Sequence, residues 1–574
     1  MDAPIPQGGI SMKLFIDQAN AEFDEIAQKF PEPRHLVFPK YLTNFVFSLI
    51  NPQLMQKYIE KKVILENVTR SESKKTVFFI SPGDPKSLKN LCECFKNIPN
   101  YTKVVLLIPR YTLVCQQIFS LNGFIALQDS IPNNPSVEIS IFDFHADFLP
   151  VEDDFFLMPG YRTFLQQAVD HDYSEIYNAG RALAKLQTVF GRIPEVYTVG
   201  SNAVRVQRVM DTMNETTNAL RTATPQIDTL ILIDRMADLY TPLMSQTTVE
   251  GLIDESFGIN YGICVPPDGT IPEKSLTLSD RSDIFRQTRM LNLEKATDTI
   301  RNTVNELQAS IDALHTETSV KQKMEYLVHA KKMGDLKAKF ESHLNVISAA
   351  IQKILDLYPS YNTMITKEFF LVKNGDSLLD FAENLVTVWN DWCTALRLLC
   401  LENIVGQTLS KKTVNYIQKE ACSEFGLECQ PMLIALEHLK FISSSPFPIK
   451  FGPILKELKI FPEEDDPVKE PLQGFVPPSV RIVQAAVSGN WAAVQRAYDN
   501  KVVPVSQIGQ CPKIGEGEKR RVLVFFVGGV ALSEVGILRN IGRLSQTVEF
   551  IIGASEKING NQLISDLFPP AARN

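Results

Sequence analysis

At 574 residues, with 44% apolar side chains, 22% charged side chains and a formal net charge of −8, the chain has the make-up of ordinary globular protein divided among several cores. The acidic balance and the lack of a basic tract argue against a nucleic-acid partner, and no window of about 18 residues is free of charged or strongly polar groups, so no transmembrane segment is expected. Nine cysteines without a C-x-x-C pair and seven histidines outside ligand spacing leave no metal site and no cofactor to expect.

The first residues, MDAPIPQGGISMKLF, lack a basic start followed by an apolar stretch, which predicts a cytoplasmic chain rather than a secreted one. Apolar runs at Thr76 to Ile80, Lys103 to Ile108 and Val137 to Phe142 predict strands, and segments such as Asp84 to Asn97 carry helical spacing between them. This βαβ rhythm predicts a parallel sheet. Cys92 and Cys94, the nearest approach to a thiol motif, are expected as free cysteines.

Strands are expected again at Ile193 to Val199 and Ile227 to Asp234; from about Asp280 to Glu463 the pattern is helical. Strand signals return at Arg521 to Val527 and Val548 to Ile552, bracketing a helix. Two strands alone do not make a stable sheet, so they are expected to join the one containing Ile227 to Asp234. The second α/β domain would then be discontinuous, with a helical insertion that returns through the acidic, Pro-rich stretch Phe461 to Pro478. The expected division is 1–150 for a first α/β domain, 151–244 with 476–574 for a second, 245–375 for a helical part with an antiparallel hairpin, and 376–475 for a compact helical part and linker. Gln507 to Lys519 is expected as a surface loop; its glycines lack the order of a phosphate loop.

Two places could carry chemistry. Asp234, Arg235 and Asp238 follow the apolar run Leu230 to Ile233 at the carboxyl end of a strand, where α/β folds place functional loops. Acid–base or metal chemistry is one reading; a structural ion pair with a helix cap is the other, favoured because no histidine or cysteine converges there. Thr241-Pro242 is expected to start a helix with Thr241 as its cap, and Glu250, Asp254 and Glu255 are expected on a solvated face. The second place is Gly528-Gly529, between the strand VLVFFV and a helix, which could hold phosphate at the helix N-terminus or simply make a tight turn. No Lys or Arg lies close in sequence, which favours the turn.

Within the insertion, Met333, Leu336, Phe340, Leu344, Ile347, Ile351 and Ile354 form one seam, while Ile300, Val304, Leu307, Ile311 and Leu314 form another. The two suit an antiparallel hairpin that buries both seams. A further reading gives part of this surface to an external helix, with Lys331, Lys332, Lys337 and Lys339 attracting an acidic partner.

Three motifs together resemble the Sec/Munc (SM) family of SNARE-binding fusion regulators, and within it the vacuolar protein sorting-associated 33 type. The first is Asp234-Arg235-x-x-Asp238-Leu239-x-Thr241-Pro242-Leu243, continuing through Gln246 to Glu250-Gly251-Leu252-Ile253-Asp254-Glu255, with Val249 in place of a usual Tyr. The second is Pro478-Ser479-Val480-Arg481; the third is Phe525-Phe526-Val527-Gly528-Gly529 with Glu534, where Ala531 replaces a usual Thr. The resemblance implies an arch-shaped fold of two parallel-sheet α/β domains with a large helical insertion in the second, and no catalysis. It implies a protein that binds SNARE helices, templates their assembly, and works as a subunit of an endosomal or lysosomal (vacuolar) tethering complex of the HOPS or CORVET kind, held by a helical vacuolar-sorting partner. The SNARE-binding residues it points to are Lys331, Lys332, Met333, Leu336, Lys337, Phe340, Leu344 and Ile347, with Asp234, Arg235, Asp238, Thr241, Pro242, Glu250, Gly251, Asp254, Glu255, Arg481, Gly528, Gly529 and Glu534 as structural motif residues. Some family members carry a proline at the hairpin turn, where this chain has Ala330-Lys331-Lys332-Met333-Gly334. The alternatives are a nucleotide- or phosphate-binding enzyme using Asp234, Arg235 and the Gly528-Gly529 turn, and a scaffold subunit that binds no SNARE.

Overall fold

The computed structural model describes residues 12–30, 34–65, 76–80, 88–89, 103–108, 117, 138–144, 146–160, 162–216, 224–272, 274–279, 282–314, 337–338, 341–350, 352–353, 361–462, 468, 472, 474–515 and 517–568. The chain divides into two compact units, Met1–Tyr161 and Arg162–Asn574.

The first unit is built on a parallel sheet. Strands β1 (Arg34–Phe38), β2 (Lys61–Ile64), β3 (Thr76–Ile80), β4 (Lys103–Ile108) and β5 (Glu138–Asp143) are laid down in the order β2-β1-β3-β4-β5. Its interior strand β1 is buried at every residue, whereas edge strand β2 begins with two exposed lysines, a common protection of a sheet edge. A short antiparallel pair, β6 (Leu149–Glu152) and β7 (Phe155–Leu157), ends the unit. The predicted helix from Asp84 to Asn97 falls almost entirely outside the described residues, as do Cys92 and Cys94.

In the second unit β8 (Glu195–Val199) and β9 (Thr229–Asp234) lie side by side in parallel. The insertion opens with a small antiparallel sheet, β10 (Ile259–Asn260), β11 (Ile263–Cys264) and β12 (Leu276–Thr277). The last strands are β13 (Val505–Gly509), antiparallel to β8, then β14 (Arg520–Val527) and β15 (Val548–Ala554). β14 runs between β9 and β15, parallel to both, so the strand expected to return does so at the centre of this array, with Val522 to Val527 wholly buried. Gln507 to Gly509, expected as part of a loop, instead close β13, because an edge strand with one exposed side has no apolar run to announce it.

Two glycines set how the strand ends meet. Gly200, at φ 101°, follows β8 and donates its N–H to the Pro504 carbonyl at 2.8 Å; a Cβ there would lie 2.2 Å from that of Asp234. Gly529 adopts φ 113° after β14, where a Cβ would lie 2.6 Å from Ile558 Cγ2.

The insertion is helical from Asp283 onward, with no strand among its described residues through Pro462. Its longest described helix, Leu293–Leu314, buries Ala296 and Ile300; residues 341–350 form another that buries Val346, Ile347 and Ala350.

Candidate functional site

At the carboxyl end of β9 the two motif ends, almost 300 residues apart in sequence, close on one guanidinium. Arg235 is fully buried. It donates from Nη1 to Glu534 Oε2 at 2.7 Å and from Nη2 to Glu534 Oε1 at 3.0 Å, and its Nη1 also reaches the Gly529 carbonyl at 3.3 Å. Asp238 Oδ2 stands 3.5 Å from Nη2. Burial alone would lower the Arg235 pKa; the carboxylates of Glu534 and Asp238 more than offset it, and the group is held above its ordinary value.

The carboxylates are spoken for as well. Asp238 accepts the Thr241 N–H at 3.0 Å, the Thr241 hydroxyl at 2.8 Å and the Ser479 N–H at 3.0 Å, while the Ser479 hydroxyl donates to Glu534. Glu534 also accepts the Ala531 N–H at 2.8 Å, which is half of a capping box; alanine carries no acceptor for the reciprocal bond. Asp234 turns away from Arg235 to accept the Asn202 N–H at 2.8 Å and the Met236 N–H at 3.1 Å. The trio is thus the ion pair and cap of the structural reading. Thr241 is not the helix cap expected: it lies inside the four-residue helix Tyr240–Leu243, and Asp238 takes its N–H.

The Gly528-Gly529 turn packs tightly, with Gly528 facing Arg235 and Gly529 facing Ile558. The guanidinium bonded to it, that of Arg235, is already paired with Glu534. The arrangement therefore matches the tight-turn reading, with its neighbouring cation committed to a carboxylate rather than open to a phosphate.

The rest of the central motif is equally interior. Glu250 and Asp254 were expected on a solvated face, but both are buried and paired: Glu250 with Arg289 through Nε at 3.0 Å and a second bond from Nη2, and Asp254 with Lys557 at 2.6 Å and Asn559 at 2.8 Å. Their helix, Val249–Phe257, is tucked under the C-terminal segment, so the face that sequence leaves polar is covered by distant cations. Glu255 accepts from the Gln246 N–H at 3.2 Å, the Tyr361 hydroxyl at 3.2 Å and the Asn561 amide at 3.1 Å. Gly251 faces Gln246 so closely that a Cβ would lie 2.6 Å from its Oε1. Pro242 lies in the short helix beside Gly560, where a Cβ would meet the Pro242 carbonyl at 2.6 Å.

Sequence reading missed a second buried guanidinium. Arg397 donates to the Leu243 carbonyl at 2.6 Å and to Ser245 Oγ at 2.8 Å, and stands 3.2 Å from Glu368, which itself accepts the Ser245 N–H at 2.8 Å. The one available signal was a charge in the middle of the apolar helix Trp392–Val405. Arg481 lies half-buried at the start of Pro478–Ser488 and donates to Gln484 at 2.7 Å.

Of the residues expected to form the hairpin, Lys331, Lys332, Met333, Leu336 and Phe340 lie outside the described residues, as do Ile351 and Ile354. Lys337 donates to Gln308 on the helix Leu293–Leu314 and stands 3.6 Å from Glu341. Leu344 is half-buried, and Ile347 is in the core at 2% exposure. The segment is tied down at its far end, where Lys353 donates to the Ser256 carbonyl at 2.6 Å. Among the described residues no three metal-ligating side chains converge, and no helix is long and apolar enough to cross a membrane.

The model of the Sec1 family matches residues 34–566. Vacuolar protein sorting-associated protein 33A of Rattus norvegicus is 23% identical, with 99% of each chain covered, and the Arabidopsis thaliana protein 33 homolog is 24% identical over 80% of each. The solved structure of the SM protein Vps45 in complex with the Qa SNARE Tlg2 matches with a TM-score of 0.61 at 14% identity, covering 97% of this chain and 98% of that one. The Unc18–syntaxin 1 complex from Monosiga brevicollis matches with a TM-score of 0.59 at 16% identity, covering 97% and 100%.

Proposed function

The chain belongs to the Sec1 family, and from that membership we propose that it is a non-catalytic regulator of vesicle docking and fusion that binds SNARE helices and templates their assembly. The observation that carries this reading is the end-to-end likeness to SM proteins, two of them solved with a SNARE or a syntaxin. The geometry supports it from the other side: Arg235, Asp238 and Glu534 satisfy one another in the interior, so the motif's charges serve architecture and leave little for a substrate.

We assign the SNARE contact to Lys331, Lys332, Met333, Leu336, Lys337, Phe340, Leu344 and Ile347, the residues the sequence pattern puts forward; of these, Lys337 and Leu344 are half-buried and Ile347 is buried. The working division of the chain is the one expected from sequence, with the expected hairpin in 245–375. By its similarity to the 33-type relatives, the protein acts in the endosome–lysosome (vacuole) pathway, recruited to those membranes as the subunit of a HOPS- or CORVET-like complex through a helical partner. Leu344→Asp is expected to weaken SNARE binding at least tenfold in titration calorimetry with an unchanged melting temperature. Undiminished affinity would remove Leu344 from the contact.

A further inference from the structure

We propose that Cys422 and Cys429 are a redox-responsive thiol pair, which a peroxide converts into an intramolecular disulfide that ties the turn Gly426–Cys429 to the helix Lys411–Phe425. The two sulfurs are already in contact at 3.7 Å, with the Cys429 thiol donating to Cys422 Sγ. A disulfide requires about 2.05 Å, so the sulfurs close by about 1.6 Å, within reach of side-chain rotation in a short surface turn.

The pair is asymmetric. Cys422 is partly exposed and reachable by a small oxidant; Cys429 is buried behind it. Two donors converge on the Cys422 sulfur, the Cys429 thiol and Gln430 Nε2 at 3.1 Å. Burial, then the bond to Cys422, pushes the Cys429 thiol up to about 11, so it keeps its proton at neutral pH and the first attack falls to Cys422. Cys393 offers a contrast: its thiol is committed to the Asn561 carbonyl at 3.4 Å.

The chemistry balances as two displacements. The Cys422 sulfur attacks one peroxide oxygen, the O–O bond breaks, and the products of hydrogen peroxide are a sulfenic acid and water. The Cys429 sulfur then displaces the hydroxyl from the sulfenic acid, forming the S–S bond; the thiol proton leaves with the hydroxyl as a second water. Two electrons pass from the thiols to the peroxide. The bond would fix a turn whose tip, Leu427, is 78% exposed.

The full-length protein should be titrated with hydrogen peroxide, alkylated under denaturing conditions and mapped by mass spectrometry. A linked Cys422–Cys429 species about 2 Da lighter than the reduced pair is expected before Cys393 or Cys511 reacts, reversed by dithiothreitol and absent in Cys422→Ser. The proposal is overturned if Cys422 proceeds to sulfinic acid, or stays reduced, while Cys429 remains alkylatable. A link that forms only after circular dichroism shows unfolding overturns it equally.

Discussion

Arg235 concentrates the logic of the junction, because one buried cation draws the ends of β9 and β14 and the start of the helix Pro478–Ser488 to a single point. Removing one member of such a group leaves an uncompensated interior charge, so Glu534→Gln is expected to lower stability by about 3–5 kcal/mol in urea unfolding, although it changes few atoms. Glu556 behaves differently. Burial first, then the neighbouring Asp566, pushes its carboxyl up to about 8; Glu175 adds to the rise, and the N–H groups of Phe164 and Thr163 oppose it. The native state therefore binds more protons than the unfolded chain between its ordinary 4.5 and about 8, so the stability present at low pH is lost as pH rises through that window. The slope reaches about 1.4 kcal/mol per pH unit. Urea midpoints compared at pH 6 and 8 should show this loss in the parent chain and a smaller one in Glu556→Gln.

Among the elements, the turn after β14 is the most sharply constrained. Gly529→Ala forces a side chain into φ 113° and against Ile558, and is expected to cost about 1–3 kcal/mol; measured in an Ile558→Ala background the same substitution should cost less, since the clash is gone and only the backbone strain is left. The helix of residues 341–350 divides similarly: Ile347→Asp should lower the melting temperature, in contrast to the half-buried Leu344. Sequence made β3, β9 and β14 legible because they are covered on both faces and read as unbroken apolar runs, whereas the interior strand β1, which opens on Arg34-His35, was not read. The edge strand β5 was read as well, but two other edges were not. β2 and β13 carry exposed polar residues and take their conformation from a neighbour's backbone. The charged motif residues stood out as a pattern, yet Glu250 and Asp254 look solvated until Arg289 and Lys557, 39 and 303 residues away, are placed on them. No local spacing encodes such pairings.

At the scale of the molecule, the C-terminal return makes the second unit an all-or-none object. A chain ending before Arg520 would lack β14 and β15 together with Glu534 and Lys557, and is expected to lose the second unit's cooperative unfolding transition by circular dichroism. The charged motif supports the framework; the proposed SNARE contact lies elsewhere, in the helical part of the insertion. The most direct test is titration calorimetry of the purified full-length protein against soluble endosomal SNARE motifs, in the absence of nucleotide. A stoichiometric complex is predicted. No binding to any of them, with the protein alone or joined to the proposed helical partner, would contradict it.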